Sequence, residues 1–154
     1  MQIQVDTREK QRAIAGILDD FDRYGIKYFS SKLYVGDYMN LDNPRLVIDR
    51  KQNLPELYQN LCQGKQRFYG ELERAKQNGI KMVILCEHGG KIKSLDDVAE
   101  WQNPRLNNNP YAWDGVKLRK ELLICALTFD LDLQFCDKRN TGRRIIEILS
   151  GVRV

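Results

Sequence analysis

The sequence predicts an α/β domain: one mixed β-sheet covered by helices on both faces. Three observations predict it. Stretches with the two-residue alternation of strands take turns with stretches whose apolar residues recur at helical spacing. The run Met82-Val83-Ile84-Leu85-Cys86 is apolar throughout, as in a central strand buried on both faces. The 154 residues hold no internal repeat, low-complexity stretch or linker, so 1–154 read as a single domain with one sizeable core.

The elements follow in order. Residues 3–6 alternate apolar and polar and predict a strand, and Asp6-Thr7-Arg8-Glu9 opens a helical stretch. Ile14, Ile17, Leu18, Phe21 and Tyr24 lie on one face of that helix, which Gly25 stops. Residues 26–39 are rich in Tyr, Phe, Val and Ile and predict a strand interrupted by Gly36. Asp42-Asn43-Pro44 marks a turn, and Leu46-Val47-Ile48 runs into Asp49-Arg50-Lys51, so residues 27 to 51 read as a β-hairpin. Asn53 caps a helix with Leu54, Leu57, Leu61 and Cys62 on its apolar face. A second helix runs from about Gln66 to Asn78 and stops at Gly79. After the buried strand from Lys81 to Glu87, Ser94 starts a short helix with Asp96 and Asp97 in its first turn. Trp101 to Gly115, rich in Asn and Pro, is a loop. Helical spacing returns from Val116 to about Asp130, alternation from 131 to 136, and Thr141 to Leu149 closes the chain as a helix. The order is β-α-β-β-α-α-β-α-α-β-α.

Composition sets the function classes that remain. Hydrophobic residues are 42% and charged residues 30%, a globular balance and not a disordered one. No apolar run approaches the roughly 20 residues that span a bilayer. The start Met1-Gln2-Ile3-Gln4-Val5-Asp6 has neither a basic region nor an apolar one, so a cytoplasmic protein is expected. The net charge of +4 and pI of 8.9 are compatible with a nucleic-acid partner but do not single one out. Cys62, Cys86, Cys125 and Cys136 are far apart, which speaks for reduced core thiols and against a zinc site. His88, before Gly89-Gly90, reads as a solvated turn residue and not as a ligand or base.

One constellation carries chemistry. Residues two apart on a strand share a face, so Asp49 and Lys51 project together while Arg50 faces the other way. Hairpin pairing brings Asp37 near them. Two carboxylates and one ammonium on one surface suit phosphodiester hydrolysis. The carboxylates bind Mg²⁺, and the ammonium stabilises developing negative charge. A lone Asp-x-Lys is as well explained by a salt-bridged strand end, and the residues alone leave both readings open.

Four motifs, in order, take the reading further: Val5-Asp6-Thr7-Arg8-Glu9, Val35-Gly36-Asp37-Tyr38, Ile48-Asp49-Arg50-Lys51 and Glu56-Leu57. Together they resemble the XPF/Hef nuclease domain, a branch of the PD-(D/E)XK, restriction-endonuclease-like superfamily. Arg67-Phe68, Glu71 and the strand at 82–85 also fit. Beyond residue 95 the chain is similar to small phage and prophage members, at Asn103-Pro104-Arg105, at Gly115 to Leu118 with Lys120, and at Thr141 to Ile146. Two departures stand out. The family's Glu-Arg-Lys is Asp-Arg-Lys here, and the acid after it is Glu56, one residue later than the family's Asp.

The resemblance implies a restriction-endonuclease-like sheet flanked by helices and a metal-dependent DNA endonuclease acting on branched or flap DNA. A non-catalytic DNA-binding module or a ribonuclease of the same fold is the alternative. It implies Mg²⁺, with Mn²⁺ able to substitute, held by Asp37 and Asp49, with Asp6 and Glu71 assisting and Lys51 beside the attacking water. Arg8, Arg50, Arg67, Arg105, Arg143 and Arg144 are the candidate DNA contacts. Several have plainer alternatives. Arg50 suits an internal ion pair with an acid such as Glu71; Asp6 and Glu9 suit helix capping; Arg67, Glu71 and Arg74 suit a charge ladder along one helix face. The loop with Arg105, Tyr111, Trp101 and Trp113 either stacks on unpaired bases or is anchored by its tryptophans. Lys138, Arg139, Arg143 and Arg144 are a phosphate patch or a solvated helix end. A homodimer is expected through Leu118, Leu122, Leu123, Ile145, Ile146 and Leu149, which equally suit cover for the sheet within one chain. No helix-hairpin-helix segment is present, so an accessory DNA-binding protein is expected as a partner.

Overall fold

The computed structural model describes residues 1–154, and its core is a six-stranded mixed sheet. The strands are β1 (Gln2–Val5), β2 (Lys27–Ser30), β3 (Tyr38–Asn40), β4 (Asn43–Lys51), β5 (Lys81–Cys86) and β6 (Asp132–Phe135). They lie in the order β2-β1-β3-β4-β5-β6. The pairs β1–β2, β4–β5 and β5–β6 are parallel, whereas β1–β3 and β3–β4 are antiparallel. Five helices cover the sheet: α1 (Ala15–Arg23), α2 (Leu54–Cys62), α3 (Lys65–Gln77), α4 (Gly115–Phe129) and α5 (Thr141–Ser150).

Strand alternation divides the core in two. Met82, Ile84 and Cys86 of β5 join Val47 and the apolar faces of α2, α3 and α4. Val83 and Leu85 join Ile3, Val5, Ile48 and the faces of α1 and α5. Both faces of β5 are therefore dry, which is why its sequence shows no alternation. Each fully buried residue such as Ile84 contributes roughly 1.5–3 kcal/mol of transfer free energy.

The helix caps follow the sequence. Asn53 accepts from the Glu56 amide at 2.9 Å, and Asp114 accepts from the Lys117 amide at 2.8 Å. His88 does not stay in solvent as expected. Half-buried, it accepts the Leu54 amide on Nδ1 at 3.2 Å and so helps close the start of α2. The four cysteines are free thiols, with Cys62 exposed.

Three expected boundaries move. The helix expected from Asp6 begins at Ala15, because residues 6–13 turn instead: the Glu9 amide donates to the Asp6 carbonyl, and the Asp6 carboxylate takes the Arg8 amide. The single strand expected at 26–39 is two. β2 lies on one side of β1 and β3 on the other, so the hairpin spans only 38–51. The Leu33 amide, bonded to Asp6 Oδ1 at 2.8 Å, ties down the crossing between them. The loop at 101–115 carries a short 3-10 turn at Pro104–Asn107. Trp101 and Trp113 pack around Tyr58 of α2, so the tryptophans anchor the loop.

The residues expected to form a dimer interface cover the sheet instead. Leu118, Leu122, Ile145, Ile146 and Leu149 are buried within the chain, and only Leu123 is exposed. No helix is long and apolar enough to cross a membrane.

Two glycines test this packing in opposite directions. Gly115, the first residue of α4, lies against the 96–101 turn. A Cβ there would press into the carbonyl oxygens of Val98, Trp101 at 2.6 Å and Ala99 at 2.8 Å. Gly16 in α1 has nothing within 4 Å. Gly16→Ala is expected to raise the melting temperature slightly, since alanine is the better helix former by roughly 1 kcal/mol. Gly115→Ala is expected to lower it by several degrees, because overpacking costs about 1–3 kcal/mol. Thermal melts followed by circular dichroism check both, and equal gains would refute the close approach of α4 to that turn.

Candidate active site

A cleft of about 390 Å³ opens at the C-terminal end of β4, between that strand, α2 and α3. Thirteen residues line it and only one, Phe68, is hydrophobic. Alternation along β4 builds its floor. Asp49 and Lys51 follow Val47 onto the face covered by α2 and α3, and Arg50 follows Ile48 onto the opposite face.

The β3–β4 hairpin delivers Asp37. Gly36, at φ +75°, turns the chain where a Cβ would meet Ile48 O and Val47 Cβ at 3.1 Å, so glycine alone fits. Asp37 then donates its amide to Ile48 O at 2.7 Å and accepts the Arg50 amide on Oδ2 at 2.7 Å. That places its carboxyl group beside Asp49 on the cleft wall. Burial, then the charges of Asp49 and Glu9, hold Asp37 well above the usual carboxylate range. Glu71, projecting from α3, is pushed up by burial and by Asp49. Burial alone would lower the Lys51 ammonium; Asp49 and Glu56 more than offset it and hold the group above its ordinary value. Lys51 Nζ sits 3.1 Å from Asp49 Oδ2 and 5.0 Å from the centre of the Phe68 ring. The Lys51 ammonium is the one partner of the buried Asp49 Oδ2, which accepts no other hydrogen bond.

Arg50 binds on the other face. Its Nε and Nη2 donate to the two carboxylate oxygens of Glu9 at 2.7 and 3.0 Å, and its Nη1 donates to Glu87 Oε1. Its side chain is 5% exposed, so it is engaged internally and not available to phosphate. The internal alternative holds, with Glu9 and Glu87 as partners in place of Glu71. Glu87 is the residue sequence reasoning passed over. Its signal was an acid closing an otherwise apolar strand.

The other expected site residues separate. Arg8 and Arg67 line the cleft and are exposed. Asp6 is fully buried outside it, its carboxylate taken by Leu33 N, Arg8 N and Arg8 Nε, so it shapes the loop before Asp37 and meets no solvent. Arg105 lies over the Tyr58 ring, 5.9 Å from its centre, away from the cleft. Arg143 and Arg144 pair with Glu147 at 3.2 and 3.0 Å on α5, also away from it.

The donor set fits a hard divalent cation. Two neighbouring carboxylates, one with a buried oxygen held only by the Lys51 ammonium, and a third acid nearby are oxygen donors of the kind such a cation takes. No three His, Cys, Asp or Glu side chains form a ready-made cage.

The ERCC4 domain model matches residues 5–149. The chain belongs to the ERCC4 domain family. The match bears out the XPF-type resemblance that the four motifs gave. The structure is similar to that of XPF from Aeropyrum pernix, with a TM-score of 0.69 and 19% identity over 97% of this chain. It is similar also to the same protein in complex with DNA, at a TM-score of 0.63 and 18% identity. The chain covers 63% of the length of either. At such identity the likeness establishes the fold: a mixed sheet of the XPF nuclease type with helices on both faces. No curated protein matches the sequence.

The crowded acids generate a prediction. An acid whose native pKa is raised adds nothing to stability below its ordinary value, where both states are protonated. It destabilises the native state as pH rises through the raised value. Asp37→Asn keeps the acceptor for the Arg50 amide and removes the repulsion. In chelator at about pH 8 it is expected to raise the melting temperature by several degrees. The gain should fade as pH falls towards the ordinary carboxylate value of about 4. No gain at the higher pH would refute the like-charge account.

Proposed function

We propose that this domain cuts DNA endonucleolytically by hydrolysing phosphodiester bonds, with Mg²⁺ or Mn²⁺ held by Asp37 and Asp49. One observation carries the reading: two neighbouring carboxylates, one from the loop before β3 and one from β4, and one ammonium line the same cleft, with Arg67 and the Asp6-paired Arg8 at its edge. When bound, the cation polarises the scissile phosphate and acidifies a water.

The chain's own groups divide the remaining work. Lys51 supplies a fixed positive charge where negative charge develops on the phosphate. Glu71, whose carboxyl is pushed up, faces the same space from α3 and is suited to take or return a proton. Arg67 and the exposed part of Arg8 hold the backbone by its phosphates, contacts that carry no sequence information. Asp6 is a positioning residue, acting through the Leu33 amide and Arg8. Such contacts suit recognition of DNA shape, and flap or branched DNA is the proposed substrate.

Self-association is proposed through a surface that keeps only Leu123 of the residues first expected. The outer face of α4 exposes Val116, Leu123, Ile124 and Leu127, the last at 76%. Light scattering at micromolar concentration should find a dimer, and Leu127→Lys should yield the 18.0 kDa monomer; a wild-type monomer would remove the idea.

Cleavage and cation binding test the site separately. Asp49→Asn and Lys51→Met should each slow single-turnover cleavage of a flap oligonucleotide by about two orders of magnitude or more. Calorimetric titration with Mn²⁺ should separate them: Asp49→Asn weakens binding, whereas Lys51→Met strengthens it, since the ammonium competes for Asp49. Cleavage of RNA in preference to duplex and flap DNA would reassign the substrate. Near-wild-type cleavage by folded Asp49→Asn would sink the assignment.

A further inference from the structure

The cleft does not end at Lys51. A second cavity of about 260 Å³ adjoins it, sharing Arg50 and Gln52 and completed by Ala13, Asn53, Glu87 and Lys138. Its charges are unevenly engaged. The Arg50 guanidinium is shared between Glu9 and Glu87, so the acid in this cavity already faces a cation. The Asn53 side chain is occupied by the Glu56 amide. Arg139 pairs with Asp137 at 3.8 Å, whereas its neighbour Lys138 makes no ion pair and is exposed. Lys138 begins the short turn Lys138–Asn140 that follows β6, two strands beyond β4 in the sheet. An uncommitted ammonium thus lines a cavity that shares a wall, Arg50 and Gln52, with the cleft lined by Asp37, Asp49, Lys51 and Arg67.

Phosphates repeat along a nucleic-acid strand, so a groove that seats one must offer something to the next. We propose that the second cavity is a phosphate subsite and that Lys138 binds the phosphate flanking the scissile one on the DNA strand. Gln52, exposed on the wall common to both cavities, lies between the two phosphate positions. Arg143 and Arg144, which share a basic stretch of sequence with Lys138, both pair with Glu147, line other cavities and take no part. The subsite rests on the nuclease reading of the main cleft.

The test is fluorescence anisotropy of a labelled flap oligonucleotide, in chelator so that nothing is cut, across a salt series. Wild type, Lys138→Ala, Lys138→Arg and Lys27→Ala are compared; Lys27 lies on β2 at the opposite edge of the sheet. Lys138→Ala should weaken binding roughly three- to tenfold at low salt and reduce the slope of log affinity against log salt by about one. Lys138→Arg should restore most of the affinity, and Lys27→Ala should match wild type. An unchanged slope in Lys138→Ala overturns the subsite. So does a loss of binding that tracks a lower melting temperature and is not rescued by arginine, because Lys138 would then serve the fold beside Glu87. Wild-type protein that binds no DNA overturns the nuclease reading itself, which distinguishes that failure from failure of the subsite alone.

Discussion

Arg50 carries its charge inside the protein, and the geometry of the cleft depends on how that charge is held. Burial works against an ionised guanidinium, and Glu9 and Glu87 together overcome it. Glu9 comes from the turns before α1 and Glu87 from the end of β5, so the triad joins segments far apart in the chain. The backbone of the same residue works on the other side: its amide fixes Asp37 Oδ2 at 2.7 Å. One strand position therefore locks the sheet through its side chain and sets a cleft carboxylate through its main chain. Breaking a buried pair by removing one partner typically costs about 3–5 kcal/mol, because the remaining charge is left without compensation. A loss at Glu87, itself outside the cleft lining, would thus reach Asp37 through Arg50.

Much of this was legible in the sequence, and the unread parts share a cause. Period-two alternation was enough to place Asp49 and Lys51 on one face and Arg50 on the other, since it depends only on local geometry. The apolar run at 82–86 announced a central strand for the same reason. The break in 26–39 was not visible, because β-rich composition does not show which neighbour a strand will choose. β2 and β3 pair on opposite sides of β1, and a buried Asp6 fixes the crossing through a residue 27 positions away. The late start of α1 has the same origin: Glu9 is drawn to Arg50, 41 residues on. Apolar residues in the last third posed a further ambiguity, since core and interface use the same side chains. The two α4 faces settle it, with Leu118 and Leu122 inward and Leu127 outward.

The cleft is also where the protein gives up stability. Asp37, Asp49 and Glu71 crowd one space, and burial raises two of the three. Lys51 relieves part of the repulsion from within the site. A core built for stability alone would not gather these groups, whereas a site that receives a cation must hold them ready before it arrives. The surrounding frame tolerates the strain because β4 and β5 are buried on both faces and tied by parallel pairing from Leu46 to Lys51.

The exchange of the family's Glu for Asp49 fits the same arrangement. An aspartate carboxylate stays close to its strand, near enough to meet Lys51, two residues on, at 3.1 Å and to press against Asp37. Glu71 brings its carboxyl group from α3 into the field of Asp49. The acids thus come from three sources: the loop before β3, the end of β4 and the face of α3. None of the three elements brings them together alone, so the site does not exist in the unfolded chain. A cation that binds it binds the folded state only, and its binding free energy adds to the stability of the fold that the crowded carboxylates had reduced.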